Sequence, residues 1–217
     1  MSNKRVVLAL GAHTDDIELG AGATLARLKR EGWYIVAIAA SRAEGSLPTE
    51  YPRDTLEKEF IRSMGLLGAD EVRVLGYPVR RLSEHRQDIL EDYVRIRREF
   101  NPEVVFAHSS NDTHQDHATI YAESVRAFRN RTLLGYHSPW NERHTVSNFF
   151  IDVTEDDLEV KREMVACYES QVQLGRSYVE SDYIGVAARY SGFQSGADLS
   201  EGFECISVRR GESVNCW

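Results

Sequence analysis

Short apolar runs alternate with amphipathic stretches along most of this 217-residue chain. The strongest runs are rich in Val, Ile, Leu and Ala, which predicts strands buried on both faces: 6–10, 34–40, 72–75 and 104–107. Weaker runs predict two further strands, 133–136 and 149–153. Because such alternation is typical of parallel strands joined by helical crossovers, we expect a Rossmann-like layered α/β fold. In this fold helices flank a mainly parallel sheet. We expect residues 1–217 to form a single domain.

The stretches between the runs carry apolar residues at intervals of three or four, which predicts amphipathic helices. These helices are expected at 19–30, 55–67, 89–100 and 118–128. The later pattern is less regular, with a predicted helix at 155–170, a mixed segment at 178–190 and a closing strand at 203–208. The predicted loops are 41–53, 137–148 and 191–202, and the first two follow strands. Loops that follow strands in this way can overhang a site at the sheet edge.

Composition narrows the classes of function. The formal net charge is −8, which argues against general binding to nucleic acid or anionic membranes, because both need basic patches. No run approaches the roughly 18 apolar residues of a membrane span, and the start resembles no signal peptide. The cysteines are odd in number and far apart: Cys167, Cys205 and Cys216. We therefore expect a cytoplasmic protein without disulfides, and leave self-association into a homo-oligomer open.

Imidazole and carboxylate groups follow two of the predicted strands. His13, Asp15 and Asp16 come directly after the strand at 6–10, and the segment 114–117 (His-Gln-Asp-His) follows the strand at 104–107. In open α/β sheets, ligands bind beyond the carboxyl ends of parallel strands. The two clusters therefore predict one metal site assembled from both strand ends.

The spacing of these residues suggests individual roles. His13 and Asp16 are three residues apart in a strand-to-helix turn, and both can point to one centre, with His117 as the third ligand. A catalytic zinc site typically has three protein ligands and one open position for water. Asp15 would then lie beside the metal and act as general base on metal-bound water.

The remaining two residues of the second cluster have supporting roles. His114 could donate a hydrogen bond to a developing oxyanion or protonate a leaving amine, and Asp116 could orient an imidazole. A purely structural interpretation stays open, since Asp15 or Asp16 could cap the helix that follows. In the same interpretation Asp112 or Thr113 caps the later helix, and 114–117 is a solvated first turn.

The segment 12–18, Ala-His-Thr-Asp-Asp-Ile-Glu, resembles the A-H-P-D-D-x-E signature of the PIG-L/LmbE superfamily of zinc-dependent de-N-acetylases. Thr14 replaces the proline of that signature. The segment 114–117 resembles the second motif of the superfamily, H-x-D-H. Further segments are similar to other parts of the superfamily's sequence pattern: 41–45, Arg53 with Glu57, 168–171, Arg189-Tyr190 and 201–203.

The resemblance implies hydrolysis of the N-acetyl group of an amino sugar or small sugar conjugate, releasing acetate and a free amine. It implies Zn²⁺, or another divalent metal such as Fe²⁺, on His13, Asp16 and His117. Asp15 would be the base, and His114 would stabilise the oxyanion, tuned by Asp116. Arg53 and Arg189 are the candidates for holding the substrate.

Other functions remain open at this stage. Two histidines and a carboxylate also form the iron site of some oxygenases, although those are usually built on double-sheet folds. A metal-dependent phosphoesterase fits the fold but usually needs two metals and more carboxylates. A non-catalytic nucleotide-binding module fits it as well, but the fingerprint G-x-G-x-x-G is absent after the first strand.

Overall fold

A seven-stranded sheet lies at the centre of the computed structural model, which describes residues 4–180 and 182–209. The strands are β1 (Val6–Gly11), β2 (Tyr34–Ala39), β3 (Glu71–Val74), β4 (Val104–His108), β5 (Thr132–Tyr136), β6 (Phe149–Asp152) and β7 (Ser200–Ser207). The helices are α1 (Asp16–Arg30), α2 (Thr55–Leu67), α3 (Arg86–Phe100), α4 (Gln115–Ala127), α5 (Glu155–Ala166), α6 (Glu169–Gln173), α7 (Ser177–Glu180) and α8 (Tyr183–Ser195). Cys216 lies outside the described residues.

The strand order in the sheet is β3-β2-β1-β4-β5-β7-β6. The first five strands in this order are parallel, whereas β7 is antiparallel to both β5 and β6. After β1 the chain adds strands on one side, and from β4 onward it adds them on the other. This confirms the predicted α/β fold with a mainly parallel sheet, and it creates a switch point between β1 and β4.

Both faces of the sheet are covered by helices. Along β1, Val7 and Ala9 belong to the apolar cluster that includes α1 and α2, and Leu8 and Leu10 to the one that includes α3 and α4. All four side chains are fully buried. This alternation explains why the run is apolar at every position: each face of the strand meets a helix layer. Among the described residues, none of the helices is long and apolar enough to cross a membrane.

Two predictions for the last third of the chain were wrong in detail. The helix predicted at 155–170 is two helices, because buried Tyr168 leaves helical geometry and its hydroxyl donates a hydrogen bond to the Glu18 carboxylate, 2.7 Å away. The predicted loop at 191–202 is largely regular, since α8 continues to Ser195 and β7 begins at Ser200. Glycine at position 192 lets α8 pack closely against the turn before β7. A Cβ at this position would lie only 2.6 Å from the Asp198 carbonyl oxygen.

Helix α1 contains a kink, and a buried ion pair forms hydrogen bonds with the backbone groups around it. Ala21 has φ −142° and ψ 15°, outside the helical region. The Leu19 carbonyl accepts a hydrogen bond from Lys161 Nζ at 2.8 Å, and the Thr24 N–H donates to Glu201 at 2.7 Å. Lys161 and Glu201 are themselves 2.6 Å apart and both are buried. The pair therefore supplies partners for backbone groups that a regular helix would pair internally.

We predict that Lys161→Met lowers the free energy of unfolding by about 3–5 kcal/mol, because it leaves the Glu201 carboxylate buried without its cation. Urea unfolding monitored by circular dichroism measures the effect.

The neighbouring Arg162→Ala is the control for this measurement. Arg162 forms exposed ion pairs with Glu155 and Glu159, and we expect a loss of at most about 1 kcal/mol. Equal effects of the two substitutions would contradict a special role for the buried pair.

Candidate active site

The two predicted clusters meet at the switch point of the sheet. Strands β1 and β4 are adjacent and parallel, with Ala9 opposite Phe106, so their carboxyl ends lie side by side. The turn after β1 carries His13 and leads into α1, and the loop after β4 leads into α4, which carries His117. The sheet therefore brings together residues that are about a hundred positions apart in sequence.

Three side chains direct donor atoms at a common point. Nδ1 of His13 lies 3.2 Å from Nε2 of His117. The Asp16 carboxylate completes the triangle, with Oδ2 at 3.5 Å from the His13 nitrogen and Oδ1 at 3.4 Å from the His117 nitrogen. Tetrahedral zinc with bonds of 2.0–2.1 Å has ligand atoms about 3.3 Å apart. The spacing of the donor atoms therefore fits a small divalent cation with an open fourth position.

In each histidine the ring nitrogen that faces away from the common point, called the outer nitrogen, lies beside a carboxylate. Nε2 of His13 is 3.0 Å from the Asp116 carboxylate, and Nδ1 of His117 is 2.7 Å from the Asp112 carboxylate. A carboxylate only accepts hydrogen bonds, so each outer nitrogen carries a hydrogen, and the inner nitrogens face one another 3.2 Å apart. Two lone pairs at this distance would repel, so a positive charge belongs between them: a proton on Nδ1 of His13, whose pKa is raised, or a metal cation that replaces this proton. The donor set therefore fits a bound metal, with Asp116 and Asp112 orienting its ligands.

The charges in this cluster depend on burial and on close pairing. Burial lowers the pKa of His13, but Asp16 and Asp116 outweigh this effect and raise it to about 10. Burial opposes ionisation of Asp16, yet His117, His108 and His13 hold its pKa well below the usual range. Burial and the nearby His117 lower the pKa of His108 to about 4. Near neutral pH, Asp16 is therefore ionised and His108 is neutral.

His108 is a member of the cluster that the sequence analysis missed. It is the last residue of β4, is fully buried, and stacks on His117 with ring centroids 3.8 Å apart. Two overlapping groups among the described side chains could hold a metal: one is His13, His114 and His117, and the other is Asp16, His117 and His108. However, Nε2 of His108 already accepts a hydrogen bond from the Ala12 N–H at 3.1 Å. This favours His13 over His108 as the second imidazole ligand.

His114 begins α4 as its capping residue. Its Nδ1 accepts a hydrogen bond from the Asp116 N–H at 3.2 Å. Burial and the neighbouring His117 and His13 lower the pKa of His114, so its ring is neutral and carries its hydrogen on Nε2. The residue lines the cavity described below, where that N–H can serve as a hydrogen-bond donor.

Asp15 does not cap α1 through its side chain, contrary to the structural interpretation. Its carboxylate lines a cavity of about 290 Å³ and accepts a hydrogen bond from the Tyr178 hydroxyl at 3.0 Å. Burial and the negative charge of Asp16 raise the pKa of Asp15. The same cavity is lined by His13, Asp16, His114 and His117. Five of the six predicted catalytic and metal-binding residues therefore line one cavity, and the sixth, Asp116, lies behind His13.

The cavity walls come partly from the predicted loops. Ala43 and Ser46 line it from the segment 41–53, and Trp140 and Asn141 from the segment 137–148. The segment 191–202, which lies wholly within the described residues, contributes nothing to its lining. Tyr178, whose ring stacks on Trp140 at a centroid distance of 5.2 Å, was missed by the sequence analysis.

The structure does not bring the two predicted substrate-binding arginines to this cavity. Arg53 is exposed and is not among the lining residues, and Arg189 forms a surface ion pair with Asp182 at 2.9 Å. The arginines that line the cavity are Arg80 and Arg176. Little in the sequence distinguishes them, because 26 of the residues are Lys or Arg and most of these are surface charges.

Comparison with known proteins identifies the family. Residues 8–128 match the family described as PIG-L: GlcNAc-PI de-N-acetylase. The chain is also 34% identical over 167 residues to the uncharacterized deacetylase YaiS of Escherichia coli K12, a match covering 74% of this chain and 89% of YaiS. The chain therefore belongs to the PIG-L family of de-N-acetylases.

Solved structures share the fold along nearly the whole chain. The conserved protein TT1542 of Thermus thermophilus has a TM-score of 0.79 at 26% identity, covering 97% of this chain and 99% of its own. N,N'-diacetylchitobiose deacetylase of Pyrococcus horikoshii has a TM-score of 0.76 at 19% identity, with coverage of 94% and 84%. GalB of Pseudomonas putida, a 4-carboxy-2-hydroxymuconate hydratase, has a TM-score of 0.77 at 20% identity, with coverage of 97% and 99%. Proteins with this fold therefore catalyse more than one kind of reaction, so the activity of this chain has to be argued from its site.

We predict that Asp112→Asn weakens Zn²⁺ binding about 10- to 100-fold, because His117 loses the carboxylate that fixes its ring and raises its basicity. Competition between the protein and a fluorescent zinc chelator measures the dissociation constant.

Asp88→Asn is the matched control, because Asp88 also lies beside a histidine, His85, at 3.8 Å, but outside the cavity. We expect its zinc affinity to equal that of the wild type. Unchanged affinity in Asp112→Asn would argue against His117 as a ligand.

Proposed function

We propose that this member of the PIG-L family is a metal-dependent hydrolase acting on an N-acetylated amino sugar or small sugar conjugate. It cleaves the acetamide bond and releases acetate and a free amine. The observation that carries the proposal is the triangle of donor atoms from His13, Asp16 and His117, with the Asp15 carboxylate beside it in an open cavity. The family to which the chain belongs supports this substrate class.

A divalent metal, Zn²⁺ or Fe²⁺, held by His13, Asp16 and His117, would polarise the acetyl carbonyl and increase the acidity of a water molecule. Asp116 keeps the His13 ring in place through the contact at Nε2, and Asp112 does the same for His117. These carboxylates also fix which nitrogen of each ring would be available to a metal.

Asp15 is the general base in this proposal. It takes a proton from the attacking water, whose oxygen forms a bond to the acetyl carbon. The same carboxyl group then delivers that proton to the amide nitrogen as the carbon–nitrogen bond breaks. Its buried position and the Tyr178 hydroxyl, 3.0 Å away, hold the carboxylate at the cavity wall.

His114 stabilises the negative charge that develops on the acetyl oxygen. Its Nδ1 is occupied by the Asp116 N–H, so the neutral ring offers Nε2–H as a donor. A donor fixed before the reaction begins stabilises the transition state without reorganisation.

A phosphoesterase is less well supported by the same residues. A two-metal site needs two ions about 4 Å apart with separate ligands. Among the described residues, every group able to hold a metal contains His117, so these groups compete for one ligand. This favours a single metal and amide hydrolysis.

The test of the proposed function is acetate release from N-acetylglucosamine and its conjugates by protein loaded with Zn²⁺ or Fe²⁺. We expect activity that is lost on chelation and restored by the metal. Phosphate release from sugar phosphates, or no acetate from the whole panel with metal bound, would contradict it.

We predict that Asp15→Asn retains bound metal but lowers kcat about 10²- to 10⁴-fold, because an amide cannot accept the proton. Acetate release and metal content are measured on the same sample. The exposed Asp156→Asn should behave as wild type in both, whereas near-normal kcat in Asp15→Asn would exclude it as the base.

A further inference from the structure

We propose that Arg80, assisted by Arg176, makes the site selective for N-acetyl amino sugars that carry an anionic group, a phosphate or a carboxylate. This inference rests on the proposed function and narrows its substrate class. It starts from the cavity, which Arg80 lines from the loop after β3 and Arg176 from the turn between α6 and α7.

Neither guanidinium group has an acidic partner in the described parts of the chain. The Arg80 side chain donates a hydrogen bond to the Gly45 carbonyl oxygen, at 3.4 Å. Two other arginines near this edge of the sheet do have acidic partners: Arg42 pairs with Glu57 at 3.0 Å and Arg81 with Glu84 at 2.6 Å. In a chain with net charge −8, two arginines that line one cavity and have no carboxylate partner in the described residues can attract an anion there.

The backbone of Arg80 adds a second, independent observation. Its φ is +66°, in the left-handed region that favours glycine, and a side chain there strains the backbone. The conformation is held by the Asp116 carboxylate, which accepts the Arg80 N–H at 2.6 Å and also contacts His13. The group that orients a proposed metal ligand thus also fixes Arg80 at the cavity.

Arg80 differs in exposure from the residues that are proposed to carry out the reaction. Asp15 and the proposed metal ligands are largely buried, whereas Arg80 is an exposed residue of the cavity lining. A charged substituent can therefore pair with the guanidinium group while the acetamido group reaches Asp15. Phosphate and carboxylate both accept paired hydrogen bonds from arginine, so both are included.

Arg80→Gly tests this inference without disturbing the fold, because glycine adopts the left-handed conformation freely. We compare kcat/KM for acetate release from N-acetylglucosamine, N-acetylglucosamine 6-phosphate, N-acetylglucosamine 1-phosphate and N-acetylmuramic acid. The wild type should prefer one or more of the anionic substrates. Arg80→Gly should lower kcat/KM for these, mainly through KM, by about 10- to 100-fold more than for the neutral sugar.

Arg81→Ala is the matched control, since Arg81 is the next residue but is paired with Glu84 and does not line the cavity. It should retain the wild-type preference. An equal loss on neutral and anionic substrates in Arg80→Gly, or a wild type without anionic preference, would overturn the inference. Arg176→Ala should give a smaller loss of the same selectivity.

Calorimetric binding of the same four sugars to the Asp15→Asn variant separates this inference from the proposed hydrolysis. Tighter binding of an anionic sugar, lost when Arg80→Gly is added, supports the inference even if no acetate is released. Equal binding of neutral and anionic sugars overturns it, whatever the hydrolysis assay gives.

Discussion

The site depends on two imidazoles whose outer nitrogens are tied to buried carboxylates. Asp116 and Asp112 fix the rings of His13 and His117 so that the inner nitrogens face one another across 3.2 Å. This arrangement is unfavourable unless a positive charge lies between the rings. Asp16 adds negative charge at the same point. The rest of the cavity, including the proposed base Asp15 and the proposed hydrogen-bond donor His114, is arranged around this point.

The sheet topology makes such an arrangement available to a short chain. The change of direction between β1 and β4 leaves an open edge where two parallel strands end side by side. The same carboxylate, Asp116, contacts the His13 ring and the backbone of Arg80 and Leu82. The proposed metal ligands and the proposed substrate-binding loop are thereby linked through one buried group. In α1, which follows the first motif, the Lys161–Glu201 pair stabilises the kink.

The fold and the centre of the site could be predicted from the sequence, because both rest on local patterns. Buried strands have a continuous apolar run, and the two motifs follow such runs. Arg53 and Arg189 were assigned to the substrate by resemblance alone, and the structure places neither at the cavity. Arg80 and Tyr178 reach it through loop conformations and packing between distant segments, which no local pattern encodes. The boundary of α8 was missed for a similar reason, since it depends on the contact of Gly192 with a later turn.

The central claim is that His13, Asp16 and His117 hold one catalytic metal ion. The most direct test is an anomalous difference map from crystals of the zinc-loaded protein, collected on both sides of the zinc absorption edge. We expect one peak about 2.0–2.2 Å from Nδ1 of His13, Nε2 of His117 and the Asp16 carboxylate. A peak bound by His108 in place of His13, or no peak in the cavity of an active protein, would contradict the claim.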